Sequence, residues 1–251
     1  MRADDARDDE LLVLLRNAAD AAGAALGEGL DWSVSGGHPG QHVADVVVDD
    51  AVRSVLDPAP VAVLSEESGL DRASHAVIVI VDPVDGSTNA SLGIPWYATS
   101  LCAVDDDGPR VAVVRNQATG VTFEAVRGRG ATRNGIGIRP SDADDLTDAI
   151  IALNGRSDSY WGWRQYRSLG AAALDLCGVA AGMLDGFADC TRDSLGVWDY
   201  AGAVLVCSEV GAHVRDAAGR DLIVLDPAER RTPVAAGTEA LLAQLLAARN
   251  A

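Results

Sequence analysis

The chain has 251 residues, 48% of them hydrophobic, so it is long enough to bury a sizeable core in one large domain or two closely packed halves. A formal net charge of −17 and a pI near 4.4 exclude nucleic acid and anionic membranes as expected partners, because both call for a basic surface. All 20 basic residues are Arg, and without a single Lys there is no Walker-type phosphate loop and no Schiff-base lysine.

The opening stretch, Met1 to Glu10, is acidic rather than basic-then-apolar, which is not the pattern of a signal peptide. No apolar run approaches the roughly 20 residues of a membrane-spanning helix, so the cytoplasm is the expected address. Leu11 to Leu26 carries apolar residues at helical spacing and stops at Gly27-Glu28-Gly29. Trp32 to Gln41, rich in Gly, His and Pro, reads as a mobile loop. His38 and His42 lie four apart, but Pro39-Gly40 between them argues against a shared helix face. A second helix is expected from about Asp49 to Leu56, then a strand at Val61 to Leu64 that ends in Ser65-Glu66-Glu67-Ser68-Gly69.

Ala76 to Val81 has the length and β-branched content of a buried strand and runs into Asp82-Pro83-Val84-Asp85-Gly86-Ser87-Thr88-Asn89. Two carboxylates at a strand end beside a Gly-containing bend suit a hard cation such as Mg²⁺, which takes oxygen ligands. Gly86 lets the backbone approach a ligand, and a helix starting near Ser87 would aim N–H groups at a phosphate. Tyr97 to Val104, Arg110 to Asn116 and Val121 to Val126 read as successive antiparallel strands. Asp142 to Asp145 reads as a linker. Beyond it come a strand at Ala149 to Leu153, a helix at Gly170 to Ala181, a strand around Phe187, a helix at Trp198 to Val210, short strands and a closing helix at Leu241 to Ala248. The domains expected are 1–139 and 140–251, packed as one unit. Cys102, Cys177, Cys190 and Cys207 have no C-x-x-C spacing, which favours reduced core thiols. The four histidines form no credible ligand set, and no G-x-S-x-G elbow is present.

Three separated motifs occur in one order: Glu66-Glu67, then Asp82 to Asn89, then Trp198-Asp199-Tyr200-Ala201-Gly202. Together they resemble the signatures E-E, D-P-x-D-G-[ST]-[ST]-N and W-D-x-A-[AG] of the inositol monophosphatase family, whose superfamily includes fructose-1,6-bisphosphatase. Arg167 to Ala173 is similar to the family's R-x-x-G-[ST]-A-A segment, with Ala171 in place of the usual hydroxyl residue. The family's lysine near the metal site has no counterpart here. Helices before, between and after two sets of strands suggest a layered α/β arrangement. The resemblance sharpens this to a five-layer αβαβα sandwich with its site between the halves.

The resemblance implies Mg²⁺-dependent hydrolysis of a small phosphate monoester, with lithium sensitivity. Inositol monophosphate or a similar sugar or polyol phosphate leads. Histidinol phosphate, 3′-phosphoadenosine 5′-phosphate and fructose bisphosphate follow, and a non-catalytic metal- or phosphate-binding regulatory subunit is the alternative from another class. By the same resemblance Glu66, Asp82 and the Val84 carbonyl hold one Mg²⁺, Asp82, Asp85 and Asp199 hold a second, and a third ion touches Glu66 through water. Ser87 and Asp49 would activate the nucleophile with Glu66, Asp45 and Asp50 being competitors for the part of Asp49. Asp85, Gly86, Ser87, Gly170, Ala171, Ala172 and Asp189 would contact the substrate, and the protein would be a homodimer. Asn154 to Arg167, with Tyr160, Trp161, Trp163 and Tyr166, is short for the family, and Cys190 to Val197 is long. The aromatics are read as an altered lid or a subunit contact.

Overall fold

The computed structural model describes residues 3–27, 29–37, 40–71 and 75–250. The alternation of side chains along its strands builds the layers. In β3 (Ile78–Asp85), β4 (Ala98–Asp105) and β5 (Gly108–Asn116), the residues Val79, Val81, Leu101, Ala103, Val111 and Val113 face one way. They pack on α1 (Ala3–Ala25) and α2 (Val43–Leu56) through Leu15, Ala18, Val48 and Val52. The interleaved Ile80, Cys102, Ala112 and Val114 face α4 (Ala172–Ala180) and α5 (Ala201–Glu209) on the opposite side. Such strands read as continuous apolar runs because both of their faces are covered.

These three strands sit in an eight-stranded sheet of order β2-β1-β3-β4-β5-β6-β7-β8. Its other members are β1 (Ala62–Ser65), β2 (Gly69–Leu70), β6 (Thr122–Val126), β7 (Ala131–Arg133) and β8 (Ile136–Gly137). The second sheet has the order β10-β9-β11-β13-β12. It comprises β9 (Ile150–Asn154), β10 (Gln165–Arg167), β11 (Gly186–Asp189), β12 (His213–Asp216) and β13 (Pro233–Ala236). Ala152, Phe187 and Ala235 turn toward α4 and α5, whereas Ile151, Leu153, Ala188 and Val234 turn toward α6 (Glu239–Arg249). The result is an αβαβα sandwich of five layers, with α4 and α5 as its middle.

Three expectations are corrected. The first helix starts at Ala3 and not at Leu11, because its polar opening turns are tied to the sheet by Asp8–Arg110 (2.6 Å) and Asp9–Arg129 (2.8 Å) instead of by apolar burial. The second helix starts at Val43 and not at Asp49. The Val46-Val47-Val48 run hides it from a propensity reading, while the Asp45 side chain accepts from the His42 backbone N–H (2.9 Å) and caps it. The loop 32–41 is pinned where it is described: Val34 pairs with His42, and Gln41 is buried, donating to Glu67 (2.5 Å) and accepting from the Ser35 hydroxyl (2.5 Å). His38 and Pro39 lie outside the described residues. No helix among the described residues is long and apolar enough to cross a membrane.

Candidate metal centre

Asp82 and Asp85 are three residues apart, so a regular strand would send them to opposite faces. β3 avoids this with a bulge: Asp82 pairs with Ser100 and Asp85 with Ala98, three steps on one strand against two on the other. The extra residue falls at Pro83-Val84, where proline has no N–H for the ladder and the Val84 N–H instead donates to Asp82 Oδ1 (3.0 Å). Both carboxylates are thereby turned to the side of the sheet that faces α4 and α5.

The third motif reaches the same place by close packing. Gly202 in the first turn of α5 lies so near β4 and β5 that an added Cβ would come within 3.0 Å of Val114 and 3.2 Å of the Ser100 hydroxyl. The preceding turn is held by the Ser100 hydroxyl donating to the Trp198 carbonyl (3.4 Å) and by the Gly196 N–H donating to Asp199 Oδ2 (2.6 Å). One carboxylate oxygen each from Glu66, Asp82 and Asp199 then lie within 4.8 Å of one another. Glu66 and Asp199 line a cleft of about 490 Å³ together with Ser65, Ser194, Trp198 and Arg230. A larger cavity of about 830 Å³ runs beside Tyr160, Trp163 and Tyr166, around the edge strand β10.

The electrostatics of this cluster are unfavourable without a cation. Burial first, then the neighbouring Glu66, Asp85 and Asp199 carboxylates, push the Asp82 carboxyl well above its ordinary range. Burial and the Asp85 charge push Asp199 up to about 8. Asp85 is likewise raised to about 8, chiefly by burial, although the N–H groups of Ala172 (3.1 Å) and Ala173 (2.8 Å) at the start of α4 donate to its two oxygens. Asp82 Oδ2 is buried and has no hydrogen-bond partner among the described residues. An orphaned anionic oxygen among hard-oxygen donors is the environment a divalent cation completes. The donor set fits Mg²⁺.

The remaining residues singled out in the sequence fall into two groups. Gly86 adopts a left-handed conformation (φ 86°), starting the six-residue α3 (Ser87–Leu92), and faces Gly170 and Ala171 across the boundary between the sheets. A Cβ on Gly86 would lie 2.9 Å from the Gly170 carbonyl oxygen. Asn89 stitches the same boundary, its amide donating to the carbonyls of Trp96 and Leu169 (both 2.7 Å). Asp49, by contrast, lies inside α2 and does not bond to Ser87. The buried Ser65 hydroxyl donates to Asp49 Oδ1 (2.5 Å), and burial raises the Asp49 carboxyl despite the Ser65 and Ser68 hydrogen bonds.

Asp189 is fully buried, and its carboxylate accepts from Ser194 (2.7 Å), the Thr191 N–H (3.0 Å) and Asn154 (3.2 Å). It ties down the start of the 190–197 loop. Ser65 and Arg230 are cleft residues for which the sequence offered no assigned part. Ser65 was signalled only by its place before Glu66, and Arg230 by nothing local.

Residues 11–251 match the profile of the inositol monophosphatase family. The chain belongs to that family. Inositol monophosphatase relatives include the fructose-1,6-bisphosphatase of Pyrococcus furiosus, 32% identical over 207 residues that cover 81% of each chain. The fructose-1,6-bisphosphatase/inositol-1-monophosphatase of Archaeoglobus fulgidus is 37% identical over 184 residues, 71% of each chain. Among solved structures, the extragenic suppressor protein suhB from Bartonella henselae superimposes with a TM-score of 0.82 at 29% identity, covering 96% of this chain and 98% of that one. As a member of the inositol monophosphatase family the chain is a phosphatase with that family's five-layer fold.

Proposed function

We propose that the protein hydrolyses a small phosphate monoester in an Mg²⁺-dependent reaction, with inositol monophosphate or a related sugar or polyol phosphate as substrate. The observation that carries this reading is the buried, unpartnered Asp82 Oδ2 inside the Glu66–Asp82–Asp199 cluster. Glu66, Asp82 and the Val84 carbonyl would hold one ion, Asp82, Asp85 and Asp199 a second, with a third near Glu66. Bound Mg²⁺ would neutralise phosphoryl oxygens and make a coordinated water acidic.

The chain's own residues supply placement and proton handling. Asp85 bonds the start of α4 to the end of β3 and so sets the distance between the cluster and Gly170-Ala171-Ala172. The buried Asp49–Ser65 pair adjoins Glu66 and offers a carboxylate able to hold a proton. Gly86 and Ser87 border the same boundary from β3, and Asp189 fixes the loop on the other side of the cleft. The protein acts as a cytoplasmic homodimer in this reading.

Phosphate release from inositol 1-phosphate, histidinol phosphate, 3′-phosphoadenosine 5′-phosphate and fructose 1,6-bisphosphate, with and without Mg²⁺, tests it. Turnover of a polyol or sugar phosphate that vanishes with chelator is expected. Equal turnover after exhaustive chelation sinks the metal reading, and no turnover of any ester turns the assignment to a metal-binding regulatory subunit.

A further inference from the structure

Two serines line the cleft that contains Glu66 and Asp199, and their hydroxyls differ in what they have left to offer. Ser65 Oγ donates to Asp49 Oδ1 (2.5 Å) and accepts from the Glu67 N–H (3.2 Å), so both of its roles are used inside the protein. Ser194 Oγ donates to Asp189 Oδ2 (2.7 Å), and no group among the described residues donates to it. A carboxylate accepts, so the one proton of the Ser194 hydroxyl is committed to Asp189. What remains for the cleft is the acceptor side of that oxygen, and the carboxylate behind it makes it a better acceptor.

The hydroxyl is held where it stands. Asp193 donates its N–H to Thr232 Oγ1 (2.8 Å) and pairs with Arg220 (2.5 Å), and Leu195 exchanges backbone hydrogen bonds with Arg231 (3.2 and 2.9 Å). Both chain neighbours of Ser194 are thereby pinned from outside the loop. Asp189 is fixed from the other side, its carboxylate by Thr191 and Asn154 and its carbonyl by Arg249 Nε (2.9 Å). Because the Asp189 side chain is closed off from solvent, a molecule entering the cleft meets Ser194 and not the carboxylate.

An oxygen that can only accept repels phosphoryl oxygens, which are acceptors too. A hydroxyl on the organic half of the ester fits it. We propose that Ser194 Oγ accepts a hydrogen bond from a hydroxyl of the leaving alcohol, so that the 190–197 loop replaces Asp189 as the part of the protein that selects the substrate. This rests on the phosphatase reading above and assigns its choice among esters to a neutral residue that reads a hydrogen-bond donor.

The test uses glycerol 2-phosphate and 1,3-difluoropropan-2-yl phosphate, which differ in hydroxyls against fluorines of similar size that cannot donate. The readout is the ratio of their kcat/KM values in the Mg²⁺-loaded protein, and the unequal reactivity of the two esters cancels when that ratio is compared between protein variants. Ser194→Thr and Ser194→Val are matched in shape and differ in the hydroxyl. Ser194→Thr is expected to keep the ratio within about twofold of wild type, and Ser194→Val to lower the ratio of glycerol 2-phosphate to its fluorinated analogue by about fivefold, the worth of one neutral hydrogen bond. Equal ratios in the two variants overturn the proposal, including the case in which both esters slow together, which would assign Ser194 to the metal or to the phosphoryl group.

Should Ser194→Val fail to fold, Ser194→Ala is compared with wild type, and a ratio within about twofold overturns the proposal with that variant too. If the wild-type protein turns over neither ester, the hydrolysis reading is what has failed. The ratio of dissociation constants for the same two esters, measured by calorimetry with Mg²⁺ present, then decides the role of Ser194 by the same criterion.

Discussion

Asp82 and Asp216 are both buried aspartates carried by strands, and their surroundings make them opposites. Asp216 accepts from the Arg220 guanidinium at 2.8 and 3.0 Å, from the backbone N–H groups of Thr232 (2.9 Å), Ala218 (3.2 Å) and Arg220 (3.2 Å). Burial alone would raise its carboxyl, but those donors outweigh burial and hold it down at about 2. Asp82 sits among other carboxylates, is raised by burial and their charges, and keeps one oxygen without a partner. A buried carboxylate that the chain itself satisfies is a strut. One that the chain leaves wanting is a place for something from outside.

The comparison breaks most visibly in turnover. Asp82→Asn and Asp199→Asn are each expected to lower kcat by about three orders of magnitude or more, because they remove a cation's ligand at the reacting centre. Each should leave the metal-free fold as stable as wild type or more so, since a neutral amide avoids the cost of burying an ionisable carboxyl among other carboxylates. Phosphate-release assays beside thermal melts check both halves, and a variant that melts far below wild type would give that carboxylate a structural part instead. Asp216→Asn should do the reverse, lowering stability by about 2 kcal/mol, or about 4–8 °C in midpoint, with kcat little changed. A loss of turnover at an unchanged midpoint would contradict the contrast.

The pH dependence should carry the same opposition. In the metal-free protein Asp85 and Asp199 keep protons up to about 8, against an ordinary value of 3.8, so between about 4 and 8 the folded state binds more protons than the unfolded one. Its stability should therefore fall as pH rises through that window, and saturating Mg²⁺ should flatten the slope by displacing those protons. Asp216 contributes stability above 3.8 that is lost as pH falls toward about 2. Melting midpoints from pH 5 to pH 8, with and without Mg²⁺, decide the first; a metal-free midpoint that rises with pH across that range rules it out. The smallest expected effect is Ser194→Ala, which removes one hydrogen bond to Asp189 and should cost about 1 kcal/mol, read as a midpoint shift of about 2–4 °C.

What the sequence disclosed follows the same division. Strands buried on both faces announce themselves as apolar runs, and Asp82, Asp85 and Asp199 stand within recognisable motifs, so the layers and the acidic cluster were legible. The polar first turns of α1 were not, because ion pairs to distant arginines sustain them instead of local periodicity. The start of α2 was hidden by three consecutive valines whose helical state is a tertiary outcome. Ser65 against Asp49 joins residues 16 apart in the chain, and Arg230 reaches Trp198 from a loop 32 residues later. No window along the sequence contains either pair.

The contact of Gly86 with Gly170 has a consequence for how this protein can vary. With 2.9 Å between a hypothetical methyl on one residue and the carbonyl of the other, the β3 turn and the segment entering α4 meet with no slack. Gly170, itself left-handed, would press a methyl to 3.1 Å from the Asn89 amide. Neither turn can therefore drift alone. A lineage that remodels the substrate-side segment must carry the β3 turn with it, so the two would change as a pair or not at all.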